Sequence, residues 1–552
     1  MQPVTVMPDE RNKDLGQLMR VALGEDKADL VVQNARLLNV YTGELLDNHS
    51  VSIKGKWIAS VGNEFEHTIG PESQVIDAAG KTVIPGLIDG HTHLAWLFSI
   101  EAFLKYAIAG GTTTLITETI EPYPVAGYAG VIDFLESLAE QPIKIYATAP
   151  IMASTSRKAR GIPMDALQNF LERDDIHGLG ESYWQSVLQE PELTLPILEK
   201  TLRSGKKLEG HSAGARGKKL MAYIAAGISS CHEPIQAEEV LERLRLGIYV
   251  MVREGSIRRD LKAISKIKDS GLDLRRLILV TDGLTPKDLM EKGCMEYVVQ
   301  KAIDCGFDPV AAIQMATLNV AEHFSMDDVL GGIAPGRYAD MLIIPDLETI
   351  RAEYVISNGR IIARDGHALV NPRQHQFAPK SLKTVPLPVT ISSSNFTIPV
   401  PENADTLTVR IIDMITDLVT GELKMELPVT NGEINRDFQQ DIIKVAAIDR
   451  TYLPGKTCVG LIKGLGLKSG AFACSAAWDT SDIIVVGADD GDMAIAAHWF
   501  ADAGVDGILP LERQAGVDIG RLRDEHPRMK FIGHFDKMTM DKGEAAMRAE
   551  FE

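Results

Sequence analysis

The spacing of hydrophobic positions changes several times along this chain. Residues 1–27 carry apolar side chains at a crude helical spacing, which predicts a short leading helix. Residues 28–82 contain short apolar runs separated by Gly and Asn turns, and such runs predict β-strands. Similar runs return at residues 326–372. We therefore expect the two stretches to complete one small β-sandwich.

The region between these stretches, residues 83–325, alternates short apolar runs with longer helical patterns. Such alternation over this length is typical of a (β/α)8 TIM-like barrel, whose working residues lie at the carboxyl ends of the strands. Residues 373–388 are rich in Pro, Lys and Gln and predict a linker, and residues 389–552 predict a further α/β domain. The expected fold class is α/β, centred on the barrel.

The first strand of the predicted barrel ends in a His-x-His motif. The apolar run before it leads directly into His91-Thr92-His93. Because side chains alternate along a strand, His91 and His93 point to the same side. Two neutral imidazoles on one side can bind one divalent ion, and imidazole suits zinc, iron and their neighbours. The motif therefore predicts a metal site.

Later strand ends of the same region supply four further potential ligands: Glu181, His211, His232 and Asp282. A lone histidine is more often structural, but six such residues at successive strand ends predict a shared metal site. Glu181 can bridge two ions that also share a water or hydroxide. Two adjacent ions acidify that water and make hydroxide available near neutral pH.

Composition and charge narrow the possible partners. The chain has 552 residues and a formal net charge of −19, which argues against a nucleic-acid-binding surface. Its five Cys show no C-x-x-C spacing, so we expect a reducing compartment. No apolar stretch is long enough to span a bilayer. We expect a cytoplasmic protein that does not bind membranes and forms a homodimer or higher homo-oligomer.

Several longer motifs resemble one known family. They are residues 86–93, 210–214, 217–228, 231–233, 246–256, 315–319 and 332–340. The first resembles the opening motif of the amidohydrolase superfamily, and together they are similar to the adenine deaminase family. The resemblance implies a binuclear metallohydrolase with two divalent ions per chain, either zinc, iron or manganese. The metal ligands that it implies are His91, His93, Glu181, His211, His232 and Asp282.

The resemblance also implies a reaction, the hydrolytic deamination of an aminopurine such as adenine to hypoxanthine and ammonia. We expect a hydroxide held between the two ions to attack the carbon that bears the amine. Asp282 then takes the proton of the hydroxide and passes it to the departing amine. Glu233 protonates a ring nitrogen or braces the substrate; alternatively, it orients the imidazole of His232.

A small heterocyclic substrate needs a pocket above the ions. The residues predicted to bind it are Trp96, Glu118, Arg253, Glu254, Ser256 and Trp478. Other interpretations stay open: the two tryptophans can be core fillers, and the segment from Arg253 to Ser256 can form an ion pair at a strand end.

Two other functions remain possible from the sequence. The motif Leu94-Ala95-Trp96-Leu97 is apolar where the family usually has Ile-Glu-Ser-Ser, so pocket residues differ. The first alternative is therefore an amidohydrolase that opens a cyclic amide, lactam or related heterocycle. The second is a catalytically silent barrel used for binding. Metal analysis separates the silent barrel from both enzymes, because only the enzymes require two equivalents.

Overall fold

The structure is a computed structural model. It describes residues 8–151, 162–382, 385, 387, 390–400, 405–415, 420–475 and 480–503. Within them the chain divides into two compact units. The first unit extends to residue 376 without residues 124–130, and the second contains residues 124–130 and 377–503.

The strands fall into four groups along the chain. The first group is β1 (Leu30–Asn39), β2 (Glu44–Lys54), β3 (Trp57–Gly62), β4 (Gln74–Asp77) and β5 (Thr82–Pro85). The second is β6 (Leu87–Thr92), β7 (Thr112–Thr117), β8 (Lys144–Ala149), β9 (Ile176–Tyr183), β10 (Lys207–His211), β11 (Ser230–Cys231), β12 (Tyr249–Arg253) and β13 (Leu277–Val280). The third is β14 (Met341–Ile344), β15 (Tyr354–Ser357), β16 (Arg360–Arg364) and β17 (His367–Ala368). The fourth is β18 (Thr406–Met414), β19 (Thr420–Thr430), β20 (Glu433–Ile434), β21 (Ile442–Ile448), β22 (Thr457–Lys463), β23 (Ala471–Cys474) and β24 (Ile483–Gly487).

The α-helices lie mainly between the strands of the second group. The helices are α1 (Pro8–Ala22), α2 (Ile100–Gly110), α3 (Pro122–Leu138), α4 (Met164–Leu171), α5 (Trp184–Gln189), α6 (Pro191–Arg203), α7 (Gly217–Ala225), α8 (Ala237–Arg245), α9 (Leu261–Ile264), α10 (Pro286–Glu291), α11 (Met295–Asp304), α12 (Pro309–Met315), α13 (Leu318–His323) and α14 (Asp490–Ala503). Among the described residues, no helix is both long and apolar enough to cross a bilayer.

The first and third strand groups pair in one nine-stranded sheet. Its order is β17-β16-β15-β14-β5-β1-β2-β3, and β4 pairs with β1 off this path. β14 pairs antiparallel with β5, so strands from both ends of the unit meet directly. The core of this sheet contains side chains such as Val32, Ile53, Val83 and Ile343. The hydrogen-bonded order is one continuous sheet, and the small β-sandwich expected from the sequence stays a prediction.

The eight strands of the second group are parallel and form two sheets. β6 to β10 make a five-stranded sheet, and β11 to β13 make a three-stranded one. Hydrogen bonds beyond the strand ends connect them: the Ser229 amide donates to Leu208 O at 2.9 Å, and the Asp282 amide donates to His91 O at 3.0 Å. The unit therefore has a TIM-barrel-like arrangement, with the eight strands divided five and three.

Alternate side chains of these strands pack on opposite sides. Leu87, Leu115 and Leu208 pack in a cluster with helix residues such as Phe103. Ile88, Ile116, Met251, Ile278 and Val280 belong to a separate cluster, which also contains residues of α1 and α13. This is the period-two pattern of a barrel, with one face of each strand toward the helices and the other inward. The carboxyl ends of all eight strands consequently open toward the same side.

The second unit has its own sheet and core. Its seven strands follow the order β20-β19-β18-β22-β21-β24-β23. Helix α14 packs on this sheet, because Met493, Ala497 and Phe500 share a buried cluster with Ile448. The Lys444 side chain is fully buried, and its Nζ lies 2.8 Å from the Asp490 carboxylate at the start of α14.

A buried ion pair connects β8 to the segment before β14. Lys144 Nζ donates to Asp340 Oδ1 at 2.8 Å and to Asn358 Oδ1 at 3.0 Å. We expect Lys144→Met to lower the free energy of unfolding by about 3–5 kcal/mol, because it leaves the Asp340 carboxylate buried without a cation. Urea denaturation of both proteins measures this difference.

The matched control for this prediction is Lys54→Met. Lys54 Nζ also lies 2.8 Å from a carboxylate, that of Asp29, but the Asp29 side chain is 55% exposed. An exposed pair contributes at most about 1 kcal/mol. Equal losses in the two variants would contradict the structural role of the buried pair.

Candidate metal centre

His91 and His93 lie at the end of β6 and face two carboxylates. His91 Nε2 is 3.4 Å from Glu181 Oε1 and 3.4 Å from Asp282 Oδ1. His93 Nε2 is 3.3 Å from the same two oxygens. All four residues are buried, and one potential ligand atom from each lies within 4.8 Å of the others. Side chains from β6, β9 and the end of β13 therefore form a four-residue group.

A second group shares one member with the first. It consists of Glu181, His211 and His232, whose ligand atoms again lie within 4.8 Å of one another. Glu181 Oε2 is 3.3 Å from His211 Nδ1, whereas Glu181 Oε1 is 3.4 Å from His232 Nε2. Both carboxylate oxygens of Glu181 therefore face imidazoles, and Glu181 belongs to both groups of potential ligands.

The chemistry of this donor set fits a divalent metal. His91 Nε2, His211 Nδ1 and Asp282 Oδ1 are buried, and none makes a hydrogen bond within the part of the chain that the structure describes. Burying such polar atoms without a partner costs free energy, so a bound cation would supply the missing interaction. Imidazole and carboxylate together suit zinc, iron or manganese.

The environment also favours positive charge at His91. Burial alone would lower the pKa of its imidazole, but the carboxylates of Asp282 and Glu181 outweigh burial and raise it to about 10. The space between these side chains is therefore strongly electronegative, as expected for a site that holds cations.

The backbone at Asp282 is held in an unusual conformation. Its φ of 62° lies in the left-handed region, which is rare for residues other than glycine. Two hydrogen bonds hold it there, because the Asp282 amide donates to His91 O and the His93 amide donates to Asp282 O, both at 3.0 Å. The end of β6 thus fixes the residue that follows β13, and strain of this kind is common at functional sites.

Two carboxylates lie behind the His-x-His motif. Glu121 Oε1 forms a hydrogen bond with His93 Nδ1, and Glu118 Oε1 lies 3.6 Å from His91 Nδ1. Burial raises the pKa of Glu118 to about 7, although nearby His91 opposes this. A carboxylate at Nδ1 orients an imidazole so that Nε2 faces the metal. Glu118, predicted to bind substrate, therefore lies against a predicted ligand.

Arg253 connects three carboxylates beside the two groups. Its Nη1 is 2.6 Å from Glu233 Oε1 and 3.5 Å from Asp282 Oδ2, and its Nη2 is 3.2 Å from Asp260 Oδ2. Glu233 Oε1 also lies 3.3 Å from His232 Nε2. The Arg253 side chain, which is only 4% exposed, therefore contacts both residues predicted to be catalytic.

These contacts keep both carboxylates ionised. Burial would raise the pKa of Glu233, but His232, His211 and Arg253 lower it to about 2. Burial likewise opposes ionisation of Asp282, whose pKa is held well below its usual value by His91, His93 and Arg253. An ionised carboxylate can accept a proton but has none to give, so both residues begin as bases.

Comparisons with known proteins show the family of this chain. Residues 82–362 match the Amidohydrolase family, and residues 417–504 match the Adenine deaminase C-terminal domain. The adenine deaminase of Moorella thermoacetica is 35% identical over 497 residues, which cover 88% of this chain and 83% of that protein. The chain belongs to the adenine deaminase family. The resemblance identified from the sequence motifs is therefore confirmed.

Other relatives of this adenine deaminase family member are similarly distant. The adenine deaminase of Cenarchaeum symbiosum is 34% identical over 530 residues, which cover 91% of this chain and 84% of that protein. A solved structure of molinate hydrolase matches 64% of this chain and 99% of its own, with 19% identity and a TM-score of 0.48.

Two further residues predicted to contact substrate in this family member, Trp96 and Ser256, follow different strands, β6 and β12. Trp96 is half-buried in the turn after β6, where its amide donates to His93 O at 3.3 Å. Ser256 Oγ donates to Asp288 Oδ2 at 2.5 Å and accepts from the Thr285 amide at 2.8 Å, next to the start of α10.

Two predicted substrate contacts remain, Glu254 and Trp478. The Glu254 carboxyl is held by the Leu261 backbone, and burial raises its pKa. Trp478 lies outside the described residues. Of the predicted substrate contacts, Trp96, Glu118 and Arg253 therefore lie next to predicted ligands or catalytic residues.

Sequence reasoning missed Glu121 and Tyr183 at this site. Tyr183 donates to Glu181 Oε2 at 3.3 Å, and its ring lies 4.3 Å from the His211 ring. The positions of both residues relative to predicted strands could have identified them. Glu121 lies shortly after the end of β7, and Tyr183 comes two positions after Glu181 on the same strand.

Proposed function

We propose that the protein catalyses the hydrolytic deamination of adenine to hypoxanthine and ammonia. The observation that carries the proposal is the pair of ligand groups that share Glu181, within a chain of the adenine deaminase family. Water supplies the oxygen that replaces the amine, so the carbon–nitrogen bond breaks and ammonia leaves. No further reactant is needed.

Two divalent ions, either zinc, iron or manganese, fit this chain. One would be held by His91, His93, Glu181 and Asp282, and the other by Glu181, His211 and His232. When bound, the ions supply the Lewis acidity that makes water a nucleophile near neutral pH. Glu121, hydrogen-bonded to His93 Nδ1, would keep the imidazole of His93 turned toward the ions.

Asp282 is the proposed general base. Its pKa is far below neutrality, so its carboxylate is ready to accept a proton from the attacking water. The same carboxyl then gives that proton to the departing amine. Arg253 Nη1, 3.5 Å from Asp282 Oδ2, limits the rotation of this carboxylate and stabilises its charge.

Glu233 is the proposed substrate contact. Because the pKa of Glu233 is about 2, its carboxylate is ionised and favours accepting a hydrogen bond from an N–H group of the purine. Protonation of a ring nitrogen by Glu233 would require the carboxylate to acquire a proton first. We therefore favour the bracing role over the acid role.

The direct test combines metal analysis with an assay of products. We expect the purified protein to contain up to two equivalents of metal and to release ammonia and hypoxanthine from adenine. A chelator should remove the metal and lower turnover by at least about 100-fold, and added zinc, iron or manganese should restore it.

A small panel of substrates supplies the control for this test. Cyclic amides and lactams should remain intact under conditions that deaminate adenine. Ring opening without ammonia release would instead favour the cyclic-amide hydrolase, and a protein that neither binds metal nor turns over either substrate class would favour the silent barrel.

The proposal also covers the binding partners, the location and the oligomeric state of the protein. The substrate is a small heterocycle, and the net charge of −19 disfavours binding to nucleic acid. A cytoplasmic location and a homodimer or larger homo-oligomer complete the proposal.

A further inference from the structure

A β-bulge turns Glu181 toward the other ligands. β9 and β10 pair in parallel, with Leu179 opposite Leu208 and Ser182 opposite Gly210. Three steps along β9 therefore correspond to two steps along β10, and the register shifts between these pairs. Strict alternation would put Glu181 on the same face as Leu179, which packs in the cluster that contains the helices. The extra residue instead allows Glu181 to face the histidines.

The hydroxyl of Tyr223 joins the two strands at this bulge. Tyr223 lies on α7 and is fully buried. Its hydroxyl accepts a hydrogen bond from the His211 amide at 2.9 Å and donates to Ser182 O. One oxygen atom therefore connects the ligand His211 on β10 with the residue that follows Glu181 on β9.

Neighbouring residues leave room for this hydroxyl and support the bulge. A Cβ on Gly210 would lie 3.0 Å from the Tyr223 hydroxyl and would overlap with Ser230 O. The Ser182 side chain donates to Gly180 O at 3.1 Å, and this hydrogen bond lies within the bulged segment of β9. The residues around the bulge therefore accommodate the hydroxyl of Tyr223. The ring of Tyr223 packs among the helix-facing side chains.

We propose that Tyr223 is a positioning residue of the metal centre: its hydroxyl fixes the spacing between Glu181 and His211. Both are ligands of the second group, so loss of the hydroxyl would loosen that group first. The hydroxyl of Tyr223 bonds to the backbones of β9 and β10, and its effect therefore passes through these two backbones. This inference rests on the proposed metal centre.

Tyr223→Phe tests the proposal, because it removes the hydroxyl and keeps the ring. We expect metal affinity, measured by competition with a chelator, to fall by about 10- to 100-fold for one of the two equivalents. The visible spectrum of the cobalt-loaded protein should change at the same time. The control is Tyr338→Phe, which alters a buried tyrosine stacked on Trp57 and should change neither reading.

A purely structural tyrosine would give a different result. It would lower the unfolding temperature of the metal-free protein and leave metal affinity and the cobalt spectrum of the folded protein unchanged, and this outcome would overturn the proposal. Metal content of the unaltered protein tests the centre itself: no bound metal there would refute the proposed function, whereas normal binding by Tyr223→Phe would refute only this inference.

A second measurement applies if Tyr223→Phe does not fold. Amide hydrogen exchange of the unaltered protein reports directly on the His211 N–H. We expect this amide to be protected in the metal-free protein as well as in the metal-loaded one, because Tyr223 accepts its hydrogen bond in both. Rapid exchange in the metal-free protein would contradict a preformed spacing.

Discussion

Glu181→Gln is expected to remove most of the bound metal and to abolish turnover. The Glu181 carboxylate is the one member that both ligand groups share, with Oε1 toward His91, His93 and His232 and Oε2 toward His211. A neutral amide offers only one oxygen and no negative charge, so it cannot bridge two cations. We expect metal binding to weaken by at least about 100-fold. Removing a residue that only orients a ligand already weakens metal binding by about 10–100-fold, and Glu181 is itself a proposed ligand.

The matched control for Glu181→Gln is Glu209→Gln. Glu209 is also a buried carboxylate, but it pairs with His323 at 2.8 Å and accepts from Ser230 Oγ at 2.6 Å. We expect this control to lower the unfolding temperature while it retains the metal. Elemental analysis compares the two proteins, and full metal occupancy in Glu181→Gln would contradict a bridging role.

Asp282→Asn is expected to stop catalysis while most of the metal remains bound. Three ligands of the first group, His91, His93 and Glu181, stay in place, but the amide cannot accept a proton from water. Loss of a positioned base typically costs about 10²- to 10⁴-fold, and we expect kcat on adenine to fall by that amount.

The control for this second prediction is Asp260→Asn. It also removes a negative charge next to Arg253, at 3.2 Å, but Asp260 does not belong to either ligand group. We expect most of the turnover to survive in this variant. If both variants lost activity equally, the electrostatic effect on Arg253, and not proton transfer by Asp282, would explain the result.

The convergence of the six predicted ligands could be foreseen because of barrel geometry. Parallel strands that alternate with helices open at one side, so residues at their carboxyl ends meet whatever their separation in the chain. His91 and Asp282 are far apart in sequence, yet the structure puts His91 Nε2 3.4 Å from Asp282 Oδ1. The family motifs supported the same choice of residues independently of any spacing rule.

The direction of individual side chains could not be predicted in this way. Glu254 and Ser256 also follow a strand, but the chain turns back, with the Gly255 amide donating to Arg258 O at 2.8 Å. The pattern of apolar residues does not predict the bulge that turns Glu181 inward. Glu121 reaches His93 only through the turn after β7. Tertiary contacts decide these cases, and sequence periodicity carries no information about them.

The pairing of β5 with β14 has a consequence for synthesis of the chain. β5 ends at Pro85, and its antiparallel neighbour begins only at Met341, after every strand of the barrel-like region. One edge of β5 therefore stays open on the ribosome until that late segment emerges. An open edge can pair with other chains. Rapid translation of the segment in between would shorten the time in which nascent polypeptides can aggregate.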